Sequence, residues 1–148
     1  MREILFRGKR VDNGEWVYGS FCMDAREQFD NLCCCDGFIR LYDKNKGKMQ
    51  MHEVERATVG QYTGLKDKNG QRIFEGDIVE GYDFSEDDGF GLVRWDDGGF
   101  WVGNDDWWGT FSDNYDGDSF EVIGNIHDNP ELVERKCNDN GKSNKNIE

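Results

Sequence analysis

Histidine is nearly absent from this chain, with His52 and His127 the only two, and proline occurs once, as Pro130. A serine or cysteine nucleophile needs a histidine base held by a third group, so only two positions could serve such chemistry. His52 falls in a strand-patterned segment beside Glu53, and His127 falls just ahead of a helix start. Both read as surface or capping residues, and no catalytic residue is assigned. Nucleotide fingerprints are missing too: no Gly-x-x-x-x-Gly-Lys-Ser/Thr loop is present and no Gly-x-Gly-x-x-Gly opens an expected helix. No apolar run approaches the roughly 20 residues that cross a bilayer. The N-terminus lacks the charged, apolar and small-residue sections of a signal peptide. These absences predict a soluble intracellular protein with no membrane partner.

Cysteine is present but poorly arranged for chemistry. Five is an odd count, and Cys33, Cys34 and Cys35 are consecutive, which disfavours disulfide geometry among them. Zinc needs Cys or His pairs at short spacing, and here Cys22, His52, His127 or Cys137 would have to complete a set from afar. Free thiols packing as small hydrophobes in a reducing cytoplasm are the simpler reading. Calcium fares no better. With Gly117 at the sixth place of a calcium loop, Ser112 stands first and Ile123 last, so both anchors lack the required acid. No metal and no cofactor is expected.

What the chain does have is glycine, aromatic rings and unevenly placed acid. Nineteen Gly against one Pro is the profile of a chain that turns often, at positive φ where needed, which suits short strands. Twenty aromatics can supply a core even though charged residues reach 33%. The net charge is −13, yet residues 1–79 hold thirteen basic and thirteen acidic side chains. Residues 80–121 hold thirteen acids against Arg94 alone. Such a field repels a phosphate backbone, so direct nucleic-acid binding is disfavoured.

Turn chemistry and alternation predict a succession of hairpins. Ile4 to Arg10 and Glu15 to Phe21 flank Val11-Asp12-Asn13-Gly14, and Phe38 to Tyr42 and Lys48 to His52 flank Asp43 to Gly47. In the second pair Met49 and Met51 share a face. Asp67-Lys68-Asn69-Gly70 joins Tyr62 to Lys66 with Gln71 to Phe74, and Asp96-Asp97-Gly98 joins Gly91 to Trp95 with Gly99 to Val102. Ile78-Val79 and Phe120 to Ile126 add strands. Between Val102 and Phe120 no period is visible, which predicts a long loop. Met23 to Gly37 is ambiguous, a helical turn at Ala25 to Phe29 being one option. Asn129 is placed to cap a short helix with Pro130 at its first position and Glu131 near the positive end of its dipole. From Asn138 onward the composition predicts disorder.

The run from Thr58 to Val79, with the opening Met1 to Arg10 and the closing Glu121 to Leu132, resembles the YopX family of phage and prophage proteins. The resemblance spans the expected ordered chain. It implies an SH3-like grouping, no assigned biochemical activity, and the cytoplasm of a host bacterial cell. The strand order points the same way. Together these give a mainly β chain: an SH3-like barrel or roll with added β-hairpins and a short C-terminal helix. Residues 1–57 form a hairpin region packed on the core, residues 58–136 the SH3-like core with an acidic aromatic loop, and residues 137–148 a disordered tail.

Residues 80–121 contain eleven of the aromatics. Strand-borne rings such as Trp95, Phe100 and Phe120 suit a core. Trp107, Trp108, Phe111 and Tyr115, among Asp105, Asp106, Asp113, Asp116 and Asp118, form the candidate interaction site, where rings ringed by acid suit a basic protein or a second copy of the chain. The expected function is that of a phage accessory protein acting through protein contacts and self-association, without catalysis. Two alternatives stand: an acidic nucleic-acid mimic occupying the basic groove of a host DNA-binding protein, and a small metal-dependent hydrolase using the acids.

Overall fold

The computed structural model describes residues 1–23, 37–81, 90–104, 108–111 and 117–134. Eleven strands dominate them: β1 (Phe6–Lys9), β2 (Trp16–Cys22), β3 (Phe38–Asp43), β4 (Lys48–Glu53), β5 (Gly60–Lys66), β6 (Arg72–Phe74), β7 (Asp77–Gly81), β8 (Phe90–Asp96), β9 (Gly99–Gly103), β10 (Trp108–Thr110) and β11 (Phe120–Asn125). Residues 130–134 are helical. The chain is therefore mainly β, and each of the four expected hairpins is present. Asp97 and Gly98 show why: their φ values of 46° and 76° give the two left-handed positions that a tight hairpin turn requires.

Two antiparallel sheets result, ordered β4-β3-β2-β1-β5-β6 and β10-β9-β8-β7-β11. Neither order returns on itself, so no closed barrel forms among the described residues. The chain divides into two compact units, Met1–Gly64 and Leu65–Glu148, with the division falling inside β5.

In the first unit Ile39 and Val54 are fully buried, Gly8 lies against the Val54 side chain, and the Phe6 and Phe21 rings stand 6.0 Å apart. The exit of β1 returns to the end of β4, where the Val11 amide donates to the Glu53 carbonyl at 3.0 Å and the Glu55 amide to that of Lys9 at 2.9 Å. Thr58 ties the 3-10 turn Arg56–Thr58 to β1 by accepting the Lys9 amide at 2.9 Å. Arg7, itself buried, lies with its guanidinium carbon 4.7 Å from the Trp16 ring centre.

The second unit has its own core of Ile73, Val79, Val93, Val102, Phe111 and Phe120, with Leu65, Phe100 and Val122 packed against it. Phe111 meets Phe120 edge to face at 5.7 Å. The loop expected from Val102 to Phe120 is corrected here. β10 pairs with β9 through Trp108 opposite Gly103, Gly109 opposite Val102 and Thr110 opposite Trp101, and Gly117–Ser119 form a 3-10 turn before β11. Three residues are too short a run for alternation to be visible, and the pairing is supplied by the neighbouring strand.

Ahead of the helix, Asn125 accepts the amides of His127 and Asp128 through Oδ1 at 3.0 and 2.9 Å. Asn129 Oδ1 accepts the Asn125 amide at 3.3 Å, so its side chain reaches back to β11, and Pro130 opens the helix as expected. The ambiguous stretch Ala25 to Phe29, the Cys33 to Cys35 run and the C-terminal tail lie outside the described residues. No helix among the described residues is long and apolar enough to cross a membrane.

Candidate interaction face

On β8, β9 and β10 alternate residues face opposite ways. Val93 and Val102 are directly paired and fully buried, which fixes the core side. The opposite side then carries Arg94 opposite Trp101, Trp101 opposite Thr110, and Leu92 and Trp108 on either side of Gly103. Gly103 contributes no side chain to that last row, and the Arg94 guanidinium carbon comes 3.8 Å from the Trp108 ring centre. Arg94, the single basic residue of the acidic segment, is thus held against an indole. It also approaches Asp96 Oδ2 at 3.9 Å, an exposed pair of small energetic weight.

Trp101 is oriented by its Nε1, which donates to the Asp96 carbonyl at 2.8 Å. That bond ties the indole carried by β9 to the end of β8. Trp95, on the core side but near the strand end, is half exposed and meets Phe100 edge to face at 4.9 Å. Two partly exposed indoles and a cation, rimmed by Asp96 and Asp97, can form a flat aromatic surface with local charge of both signs.

Of the residues expected to form the site, Trp108 lies on this face and Asp118 is exposed on the 3-10 turn before β11. Phe111 does not stand on a loop surface: it is 6% exposed and belongs to the core. Trp107, Tyr115, Asp105, Asp106, Asp113 and Asp116 lie outside the described residues. Arg94 and Trp101 were missed as site residues. The signal for Arg94 was its isolation among thirteen acids; that for Trp101 was its place two residues beyond the Gly98-Gly99 turn, on a strand whose alternate residue Val102 is apolar.

The Asp67 to Gly70 turn has a different task. Asp67 is 2% exposed, and its Oδ1 accepts the amides of Asn69 and Gln71 at 2.9 Å each while Oδ2 accepts that of Val122 at 3.0 Å. The Lys68 amide donates to the Phe120 carbonyl at 2.9 Å, and Lys68 Nζ meets Glu121 Oε2 at 3.0 Å. This turn therefore locks onto the start of β11. Burial pushes the Asp67 carboxyl upward, but the three amides and the Lys68 charge outweigh it and hold the group below the usual carboxylate range. Hydrogen bonding and charge from Lys68, helped by Asn69, likewise lower Glu121. A similar buried acceptor, Asp77, receives the Phe74 amide at 2.8 Å across the turn into β7.

Among the described residues no group of three or more His, Cys, Asp or Glu is placed to hold a metal ion, and Cys22 is a free thiol. His52 sits on β4, its Nε2 3.3 Å from Gln50 Oε1, and His127 in the turn before the helix.

Fold and site define a mainly β protein of two antiparallel sheets with an aromatic and acidic second unit. The chain belongs to the YopX family, whose profile, described as YopX protein, matches residues 5–134. It is similar in structure to protein EF1440 from Enterococcus faecalis, known from a crystal structure, at 25% identity and a TM-score of 0.52 over 90% of this chain and 99% of that one. No curated protein matches the chain in sequence.

Proposed function

We propose that this YopX-family chain is a phage or prophage accessory protein of the host cytoplasm that works through protein contacts and self-association, with no catalysis of its own. One observation carries the reading: Trp101 and Trp108 stand partly exposed on the outer side of β8 to β10, with Arg94 stacked on one of them, inside the most acidic part of the chain. Indoles at the centre of a charged surround are the usual energetic anchors of protein interfaces. The surrounding acid selects a basic protein partner by steering and by rejecting acidic ones.

The second unit is read as an SH3-like roll. Support comes from its succession: β7 to β10 follow one another as neighbours, a 3-10 turn intervenes, and β11 returns to pair with β7. On the outer side of β8 to β10, Trp101 and Trp108 keep part of their surface exposed, which gives the platform its anchors.

The test compares proteins captured from host lysate by the wild-type chain and by Trp101→Ala/Trp108→Ala, at low and high salt. A captured basic protein that is released by salt and absent from the double variant supports the reading. Capture that is equal in both chains removes these indoles as anchors. Capture of a DNA-binding protein that duplex DNA displaces would instead favour the nucleic-acid mimic.

A further inference from the structure

β4 lies at the end of its sheet, with β3 its strand neighbour. Its six residues pair with β3 without a bulge, from Phe38 opposite Glu53 to Asp43 opposite Lys48. Natural edge strands are protected by proline, bulges or charged side chains; β4 has neither proline nor bulge, and its acid and lysine stand only at its ends, Glu53 and Lys48. Its apolar residues also face outward. Met49 and Met51 are 52% and 55% exposed, and Tyr42, opposite Met49 on β3, is 56% exposed. The other side of β4 carries Gln50 and His52, which are more buried than the methionines.

Hydrogen-bond parity shows which backbone groups are available. The Val54 amide donates to the Gly37 carbonyl at 3.0 Å, so Val54 and, by alternation, His52, Gln50 and Lys48 direct their backbone groups toward β3. Met49, Met51 and Glu53 therefore direct theirs outward. The Glu53 carbonyl is taken by the Val11 amide, which leaves Met49 and Met51 as the residues with an outward edge to offer.

We propose that β4 pairs antiparallel with β4 of a second copy across a two-fold axis through Gln50, each Met49 facing Met51 of the other copy. The inference rests on the self-association reading above and gives it a surface. This register uses both outward-facing residues of each strand in about four new backbone hydrogen bonds. Registers shifted by one residue pair bring the occupied Glu53 or the turn residue Gly47 opposite a methionine, whereas in this one those two fall opposite each other, beyond the last bonded pair. On the apolar side it joins Tyr42, Met49, Met51 and Arg40 into a row crossing the interface, with methionine able to adapt its packing. Charge favours the same arrangement. The N-terminal approach to β4 carries Lys44, Lys46 and Lys48 with Asp43, and its far end carries Glu53 and Glu55 ahead of Arg56, so antiparallel pairing sets the basic end of one copy beside the acidic end of the other. Residues 1–64 hold ten basic and ten acidic side chains, so copies meet here without the mutual repulsion of the acidic segment.

Sedimentation of the wild-type chain against Met51→Pro reads the proposal directly. The Met51 N–H points away from β3, so proline there removes no existing ladder bond and blocks strand addition. The expected result is a wild-type assembly of at least twice the 17.2 kDa chain and a variant whose mass is halved. Met49→Lys/Met51→Lys, at two exposed positions, reads the same property where near-ultraviolet dichroism shows that the proline variant has lost its fold. An assembly of unchanged mass in a folded variant overturns the β4 interface but leaves self-association standing. A wild-type chain that sediments as one copy overturns both, while lysate capture through Trp101 and Trp108 remains a separate readout.

Discussion

Asp67 shows how one side chain can hold a hairpin turn in place. A carboxylate buried with three amide donors is stable only while ionised, because protonation removes acceptor capacity from a site built of N–H groups. Asp67→Asn keeps the shape but sets an NH2 group against those donors, and should lower stability by about 2–4 kcal/mol. Denaturant titration at neutral pH measures it. The pH dependence follows in sign. The folded-state pKa lies below the unfolded one, so the contribution is complete above the unfolded value near 3.9 and is lost as pH falls through the folded value. The gap between wild type and Asp67→Asn should therefore narrow in acid, and a gap independent of pH down to acid unfolding would refute the assignment. Arg94 is the opposite case. Exposed, and stacked on Trp108, it contributes about 0.5–1 kcal/mol at most, so Arg94→Gln should leave the midpoint of unfolding nearly unchanged while altering Trp108 fluorescence.

Elements in this molecule are specified by turns and then adjusted by partners. Turns closing on a glycine of positive φ, at Gly14, Gly47, Gly70 and Gly98, were readable because their residue types meet a local backbone demand, and the four hairpins followed from them. β10 was not readable: Trp108-Gly109-Thr110 becomes a strand because β9 offers it a pairing edge. The lock made by Asp67 was hidden for the same reason, since Val122 is 55 residues away. Phe111 looked like a loop aromatic because its contact with Phe120 is set by tertiary packing. Close approach of strands also leaves no mark in a single sequence. A Cβ on Gly19 would collide with the Arg40 carbonyl on β3, a backbone atom that cannot swing aside. Gly19→Ala should separate β2 from β3 and lower stability by about 2–4 kcal/mol, whereas Gly99→Ala, where open space surrounds the new carbon, should lie within about 0.5 kcal/mol of wild type. Equal effects from the two would mean that strand spacing adapts and the glycine is dispensable.

At the scale of the whole molecule the charge division coincides with the structural one. Met1–Gly64 is neutral by formal charge, with ten basic and ten acidic side chains, and Leu65–Glu148 carries the full −13. Self-repulsion should therefore weigh on the second unit alone, at any geometry of the chain as a whole. Raising salt from about 0.01 to 0.15 M shortens the screening length from about 30 to 8 Å, which weakens repulsion among exposed acids while leaving buried contacts nearly untouched. Hydrogen exchange separates the two units residue by residue. Amides of β7, β8 and β9, around Val79, Val93 and Val102, should slow several-fold with salt, and those of β3, around Ile39, should not. On the proposed reading, the same repulsion would keep two acidic units from meeting face to face, so that copies join through their neutral units and the indoles of β9 and β10 are left for a basic partner. An equal response to salt in both units would show that the acid of the second unit is locally compensated, and would remove the electrostatic reason for that division of labour.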